Sequence, residues 1–381
     1  MKLVLRPRFI GAALVATAAC LPACFDAPLA VDDDAFPVLP PGARVELVDV
    51  ALAWPLPTGT GAGDGGHLGP VLDCETVQAF EPLTRTDEPA DLCAALTVTA
   101  ARLDPCFREG GPGAACEPQL RLVLQPVFDG SARDAALHVF FAVDEAIIDR
   151  TVARLIELRL DDGFDGVGPL DVHPLLSNDE GRRAVGALLQ EVVDDARLDH
   201  FTQITVHGDD AAWTFEFRDF VDGRPTAGEA RQQHVLSARP DVIDISVTPT
   251  SGSADAFVLL LDEEAAALAS VDDQQAAYDR AGRVENPAFH DPGTIDCATC
   301  HVAAPARAAT RARDVGVVDG PDTFTAQRHD LSSSPVFDNP QFIHAFAWRG
   351  TALSINQRVV NESALSADVV EARLIDEGVL K

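Results

Sequence analysis

Between residues 44 and 260 the apolar positions come in short runs, many alternating with polar ones: "RVELVDVALAW", "LTVTAARL", "QLRLVLQPVF", "ALHVFFAV", "FTQITVHG", "AWTFEFRDF", "DVIDISVTP" and "AFVLLLD". A period of two puts successive side chains on opposite faces of an extended chain. The runs therefore predict strands separated by Gly, Pro and Asp turns. Two segments break this rhythm with helical spacing, "EAIIDRTVARLIELRL" and "EGRRAVGALLQEVVDDA", the first with Ile147, Val152 and Leu155 among its apolar positions. Residues 44–260 are thus expected to form a β-rich α+β domain dominated by antiparallel sheet.

At Asp262 the texture changes. "DEEAAALASVDDQQAAYDRAGRVE" predicts one strong helix, with Asp262 as its N-cap, acids in its first turn and Asn286-Pro287 as its stop. Helices and loops are expected from there to Lys381, ending in a terminal helix in "SALSADVVEARLIDEGV". Residues 261–381 are read as a small, mostly α-helical second domain.

The first residues read differently again. "MKLVLRPRFIGAALVATAACLPAC" has a basic start (Lys2, Arg6, Arg8) and an apolar stretch from Phe9 to Leu21, too short to span a bilayer with its flanks. It ends in Leu21-Pro22-Ala23-Cys24, which resembles a bacterial lipobox. Residues 1–23 are expected to be a lipoprotein signal peptide, with Cys24 as the lipidated residue. The acidic, proline-rich stretch that follows, residues 24–43, reads as a disordered tether to a membrane. No later run is long and apolar enough for a transmembrane helix.

Composition narrows the partners. A net charge of −31 repels nucleic acid and anionic lipid alike, so neither is expected to bind the folded part. Lys occurs only at positions 2 and 381, a bias of codon usage in a GC-rich genome and not of function. With 47% apolar residues the chain can bury real cores.

The candidate chemistry lies in "NPAFHDPGTIDCATCHVAAPAR", residues 286–307. With this many Cys and His, C-x-x-C-H would arise in roughly 0.4 per cent of random shuffles, so the match is informative. Two thiols three positions apart lie on one side of a helical turn and can both add to haem vinyl groups. The adjacent imidazole then points at the iron. Cys297, Cys300 and His301 are therefore the expected attachment and proximal residues of one covalent haem c. The cysteine count is consistent with this. Cys20 leaves with the signal, Cys24 takes lipid, and Cys74, Cys93, Cys106 and Cys116 fall within one stretch where an oxidising compartment would give two disulfides of unassigned pairing.

Competing readings of the motif are weaker. Zinc would need a fourth ligand and awkward joint use of Cys300 and His301. A thioredoxin-like site lacks its βαβ surroundings. A plain Cys297–Cys300 disulfide in a surface lipoprotein that acts as a binding or scaffold protein is the alternative kept. "GAGDGG" (61–66) leads into no helix, and "DDGFDGVGPLD" (161–171) lacks the closing Glu of a calcium loop; both read as solvated loops. His138, His173, His200, His207 and His234 are scattered and read as structural or surface residues.

"FHDPGTIDCATCHVAAPAR" resembles the haem-attachment segment of bacterial c-type cytochromes, most of all the first haem segment of the diheme cytochrome c peroxidase family. That family carries two C-x-x-C-H motifs and this chain one, so peroxidase activity is not implied. The chain as a whole also resembles exported lipoproteins of predatory soil bacteria, which supplies no function. High-potential electron-transfer cytochromes use Met opposite the proximal His. The only Met here is Met1, expected to leave with the signal. The sixth iron position therefore falls to His344 in "NPQFIHAFAWRG" as first candidate for a second metal ligand, then His290 and His329, or to nothing. The expectation is a membrane-anchored exported cytochrome-like lipoprotein, tethered by its lipid to the bacterial envelope at the outer membrane. Its expected work is electron transfer with a redox partner protein.

Overall fold

The computed structural model describes residues 35–56, 95–107, 115–133, 135–164, 170–195, 197–207, 212–221, 224–225, 233–239, 242–244, 255–291, 294–295, 297–326, 328–329, 331 and 344–381. Cys24, Cys74, Cys93 and the "GAGDGG" loop lie outside these residues. So do the expected signal peptide and most of the tether.

The fold is α+β, with an antiparallel sheet and several helices. After a single helical turn, α1 (Leu47–Val50), come β1 (Ala51–Ala53), β2 (Leu96–Phe107), β3 (Glu117–Phe128), β4 (Ser131–Ala132) and β5 (Ala136–Ala142). Helices α2 (Glu145–Asp161) and α3 (Asp179–Asp195) follow, then β6 (Arg197–His207), β7 (Ala212–Val221), β8 (Arg224–Pro225), β9 (Gln233–Arg239) and β10 (Val242–Asp244). These strands form a ten-stranded sheet in the order β1-β2-β3-β5-β6-β7-β9-β10, with β4 on β3 and β8 on β7. The β3–β4 turn needs left-handed backbone at both central residues, Asp129 (φ 53°) and Gly130 (φ 72°), which is why an Asp-Gly pair stands there.

Register sorts the side chains of the central strands into two faces. Leu103, Leu120 and Phe141 are paired neighbours across β2, β3 and β5, and Leu122, Val139 and Phe201 continue the pattern across β3, β5 and β6. All six are buried, and this face is apolar. The intervening residues make the other face, where Arg102, Arg121, Phe140, His200 and Asp219 form one rung across five strands. On that rung Arg121 lies 4.7 Å over the Phe140 ring, and Phe140 stacks on His200 at 4.1 Å.

The C-terminal part adds α4 (Glu263–Leu268), α5 (Val271–Val284), α6 (Cys297–Ala312), the hairpin β11 (Phe346–Arg349) and β12 (Ala352–Ile355), and α7 (Gln357–Asp376). These elements cover the polar face. Arg102 bridges to Glu362 of α7, Ser366 of α7 donates to Asp104 at 3.4 Å, and Gln125 of β3 holds both the N–H and the C=O of Trp348 in β11. The apolar face is left to α2, which packs on β2 and β3 with Ile148, Val152, Leu155 and Ile156 buried.

Phe36–Lys381 form one compact unit, and a single hydrophobic core runs from Leu39 to Leu380, so the expected boundary at residue 260 falls inside it. Three local expectations are corrected. "RVELVDVALAW" is strand only over Ala51–Ala53; before that, Asp49 accepts from the Glu46 N–H and closes a helical turn. "AFVLLLD" forms a 3-10 turn, Val258–Leu261, and not a strand. The single helix expected from Asp262 is two, because Ser270 accepts from the Asp273 N–H and starts a second one. Asp262 does cap the first, accepting from the Ala265 N–H at 2.9 Å. Among the described residues no helix is long and apolar enough to cross a membrane.

Candidate functional site

The Cys-Ala-Thr-Cys-His run opens α6. Cys297 is the first residue of the helix and exposed, Cys300 is half-buried one turn on, and His301 is half-buried beside it. From Val302 to Arg307 the helix is buried throughout, Pro305 included. Pro305 has no N–H, so the carbonyl of His301, four residues before it, receives no helical hydrogen bond from that position.

The buried half of α6 is clamped to α5. Arg307 forms a buried ion pair with Glu285, lies 4.5 Å over the ring of Tyr278, and donates to Asp319 at 2.6 Å; the Tyr278 hydroxyl donates to the same carboxylate at 2.7 Å. Burial raises the Glu285 carboxyl, against the pull of Arg307. Breaking such a buried pair on one side leaves an uncompensated charge, so the cluster fixes where α6 can lie.

Thus held, α6 sets His301 against the sheet. Its ring meets Phe215 of β7 edge-on, with centroids 5.3 Å apart. Phe215, Ile204 and Ala136 make one rung of the polar face, and His138 and Thr202 make the next. His301, His138 and His344 all line a single pocket of about 10 Å³, whose other walls include Ala136, Ile204 and Phe346. That space is about what one water needs, far below the range of about 300–1,000 Å³ for small-molecule sites. Burial, followed by the charges of Arg121, His301 and Arg102, holds His138 well below the ordinary histidine range, so its imidazole is neutral at pH 7. Arg121 is pushed down to about 10 by burial and by Arg102, with Asp104, Glu362 and Cys300 acting the other way.

Of the residues expected from sequence, the structure brings His301 and His344 to one pocket, with Cys300 beside His301 in the chain. His344 is buried at the foot of the β11–β12 hairpin, its carbonyl accepting from Ser354 Oγ at 2.8 Å. His290 does not line this pocket. Its Nε2 sits 2.8 Å from Asp255, a carboxylate shared with Arg283, and its Nδ1 lies 3.4 Å from Thr294 Oγ1. His329 is elsewhere too, 3.7 Å from Asp368. Cys106 and Cys116 form a disulfide joining the end of β2 to the start of β3. His138, set aside in the sequence as structural, is the addition. Its position inside the strand "ALHVFFAV" gave its face, but nothing local said that α6 would land opposite.

Among the described residues no three His, Cys, Asp or Glu side chains are grouped to hold a metal ion by themselves. A haem iron needs fewer protein ligands, because the porphyrin fills most of its positions. Compared with protein-family models, with curated proteins and with solved structures, the chain matches none.

Proposed function

We propose that this protein is an exported c-type cytochrome-like lipoprotein, anchored through Cys24 and carrying one covalent haem on Cys297 and Cys300. Its work is electron transfer to or from a redox partner protein. The observation that carries the reading is the pairing of the Cys297–His301 run at the head of α6 with a pocket that receives His301 and two further imidazoles. The donor types suit the group, with two thiols on one helical turn, one exposed and one half-buried, and an imidazole beside them; the closed pocket, about 10 Å³, would have to open to receive it. When bound, haem supplies a one-electron couple. Cys297 and Cys300 would hold it, and His301, its ring set against Phe215, would be the proximal imidazole. With no Met beyond the leader, and an acidic protein around the site, the oxidised iron is favoured. The potential should lie below that of a His/Met cytochrome.

Expression with a cytochrome c maturation system, followed by haem staining on a denaturing gel and intact mass, tests the reading. A haem-sized mass increase, lost in Cys297→Ser/Cys300→Ser, is the expected result. A colourless protein of unshifted mass overturns it and leaves the scaffold alternative, with Cys297 and Cys300 as a disulfide.

A further inference from the structure

The polar face carries a largely buried charge cluster that does not balance, and one of its neighbours is a cysteine of the candidate site. Arg102 of β2 pairs with Asp104 and with Glu362 of α7, and Arg358 of α7 pairs with the same Glu362 at 2.7 Å. Arg121 of β3 is the third guanidinium. Its only ion pair among the described residues is with Asp104 at 4.0 Å, a carboxylate that Arg102 already holds closely. Three cations thus share two carboxylates. We propose that Arg121 stabilises the sulfur of Cys300 as a leaving group, so that Cys297 and Cys300 form an exchange-active disulfide that a dithiol reductant opens. This goes beyond the covalent-haem reading and does not depend on it, since it concerns the chain before any haem is attached.

Three features support this. First, the pair can close. Residues three apart at the start of a helix have Cα atoms about 5 Å apart, inside the range of roughly 4.4–6.8 Å that a disulfide spans. Secondly, the two sulfurs are unequal. Cys297 is exposed and Cys300 is half-buried against the core, so an incoming thiolate reaches Cys297 and Cys300 is the sulfur that departs. Thirdly, the departing sulfur has a fixed cation within electrostatic reach. Burial and the charge of Arg102 push Arg121 down to about 10, and Cys300 is among the groups that act the other way, so the attraction between the two is mutual. Arg121 is pinned there. β3 is paired on both sides, Arg121 facing Arg102 and Phe140, and its guanidinium lies 4.7 Å over the Phe140 ring.

The exchange balances with the dithiol as its one co-reactant. A thiolate of the dithiol attacks Cys297 Sγ and forms a mixed disulfide. The Cys297–Cys300 bond breaks, and its electron pair goes to Cys300 Sγ, which then takes up a proton. The second thiol of the reductant displaces Cys297 and closes the reductant's own disulfide. Two electrons and two protons pass from the dithiol to the chain. Exchange is faster the better the leaving sulfur carries its negative charge. A guanidinium already in place supplies that stabilisation without reorganisation. In an exported chain the step returns to thiols a pair that an oxidising compartment closes.

The test uses the full-length chain made without a haem-maturation system and treated with a mild oxidant: wild type, Arg121→Met, Arg121→Lys and Glu362→Gln. Dithiothreitol is added at fixed pH, samples are quenched with an alkylating reagent, and mass mapping reads Cys297 and Cys300 apart from the other cysteines. Equilibration against a dithiothreitol redox buffer gives the potential. Arg121→Met, with unchanged far-ultraviolet dichroism, should be reduced about tenfold more slowly and at a lower potential. Arg121→Lys should keep most of the wild-type rate. Glu362→Gln removes a carboxylate from the cluster and should speed reduction, a change of sign that a merely structural role would not produce. It also decides the matter if Arg121→Met does not fold. A wild-type pair that never closes under the oxidant overturns the inference. So does a folded Arg121→Met chain that matches wild type in rate and potential, or a Glu362→Gln chain reduced no faster than wild type. A protein that takes no haem in the maturation experiment overturns the haem reading and leaves this inference standing.

Discussion

The two faces of the main sheet are built by alternate residues of the same strands, yet they are buried by different means. On one, Leu103, Leu120, Leu122, Val139, Phe141 and Phe201 are buried, with α2 packed on β2 and β3, and shape alone has to match. On the other, Arg102 and Asp104 meet α7, Gln125 meets the hairpin and His138 lines a pocket with His301 of α6, and each polar group has to find a partner of the right kind and angle. The apolar face tolerates substitution of similar volume. The polar face specifies which element lies over which strand, because an unmatched donor or charge there is costly. That specification matters most around α6, since the placement of His301 against Phe215 depends on it.

The comparison can be tested from both sides. Phe201 is fully buried at the centre of the apolar face. Phe201→Ala should lower the unfolding free energy by about 3–5 kcal/mol in denaturant titration and, under the function we propose, leave the haem spectrum of surviving folded protein unchanged. A changed spectrum would mean that the two faces are not independent. Gln125→Met keeps the volume but strands both backbone groups of Trp348, which Gln125 now holds at 2.7 and 2.9 Å. We expect a loss of about 1–3 kcal/mol by the same measurement. Under the function we propose, an altered haem spectrum should accompany it, because His344 at the foot of the hairpin shares a pocket with His301. Stability loss without any spectral change would detach the hairpin from the site.

The smallest effect is one of pH. Glu362 is buried and would be raised by burial, but the neighbouring Arg102, Arg358 and Arg121 outweigh this and hold its carboxyl well below the usual range. A group whose pKa is depressed on folding adds stability above its unfolded value, about 4.3, and loses it as the pH falls towards the folded value. Wild type should therefore lose stability on acidification below about pH 5 more steeply than Glu362→Gln. Parallel curves from pH 6 to 3 would show that the ion pair across the polar face contributes nothing that titrates.

Much of the fold could be read along the chain. β2, β3, β5, β6 and β7 stand where alternation placed strands, and α2 and α3 where the spacing turned helical. Local polar chemistry decided the cases that pattern left ambiguous. Five consecutive apolar residues in "FVLLLD" carry no period, and the chain there makes a 3-10 turn. Ser270 looked like an ordinary residue inside a helix until its hydroxyl capped the Asp273 N–H. The β11–β12 hairpin was missed because its surroundings read as helical. Its signal was present, however, in alternating apolar residues either side of Gly350-Thr351, with Gly350 at φ 59° making the tight turn. For the site, Cys297, Cys300 and His301 are adjacent in the chain, and adjacency is what a motif records. His344 was found by its setting. His138 depends on the pairing of β5 with β6, of β6 with β7, and on α6 resting over β7, and such long-range register leaves no mark in any single segment.

Pro305 gives α6 a division of labour that hydrogen exchange would register as two separate protection classes. The amides of residues 301–304 close on the carbonyls of Cys297 to Cys300, whereas the amide that would tie His301 to the next turn does not exist. The turn bearing the thiols is therefore its own opening unit, coupled to the Arg307-anchored half by packing and not by a continuous hydrogen-bond ladder. Opening of that turn would leave the clamp of Arg307 on Glu285 and Tyr278 shut. Access to the two thiols and the integrity of the fold would thereby be separated by one residue that cannot donate a proton.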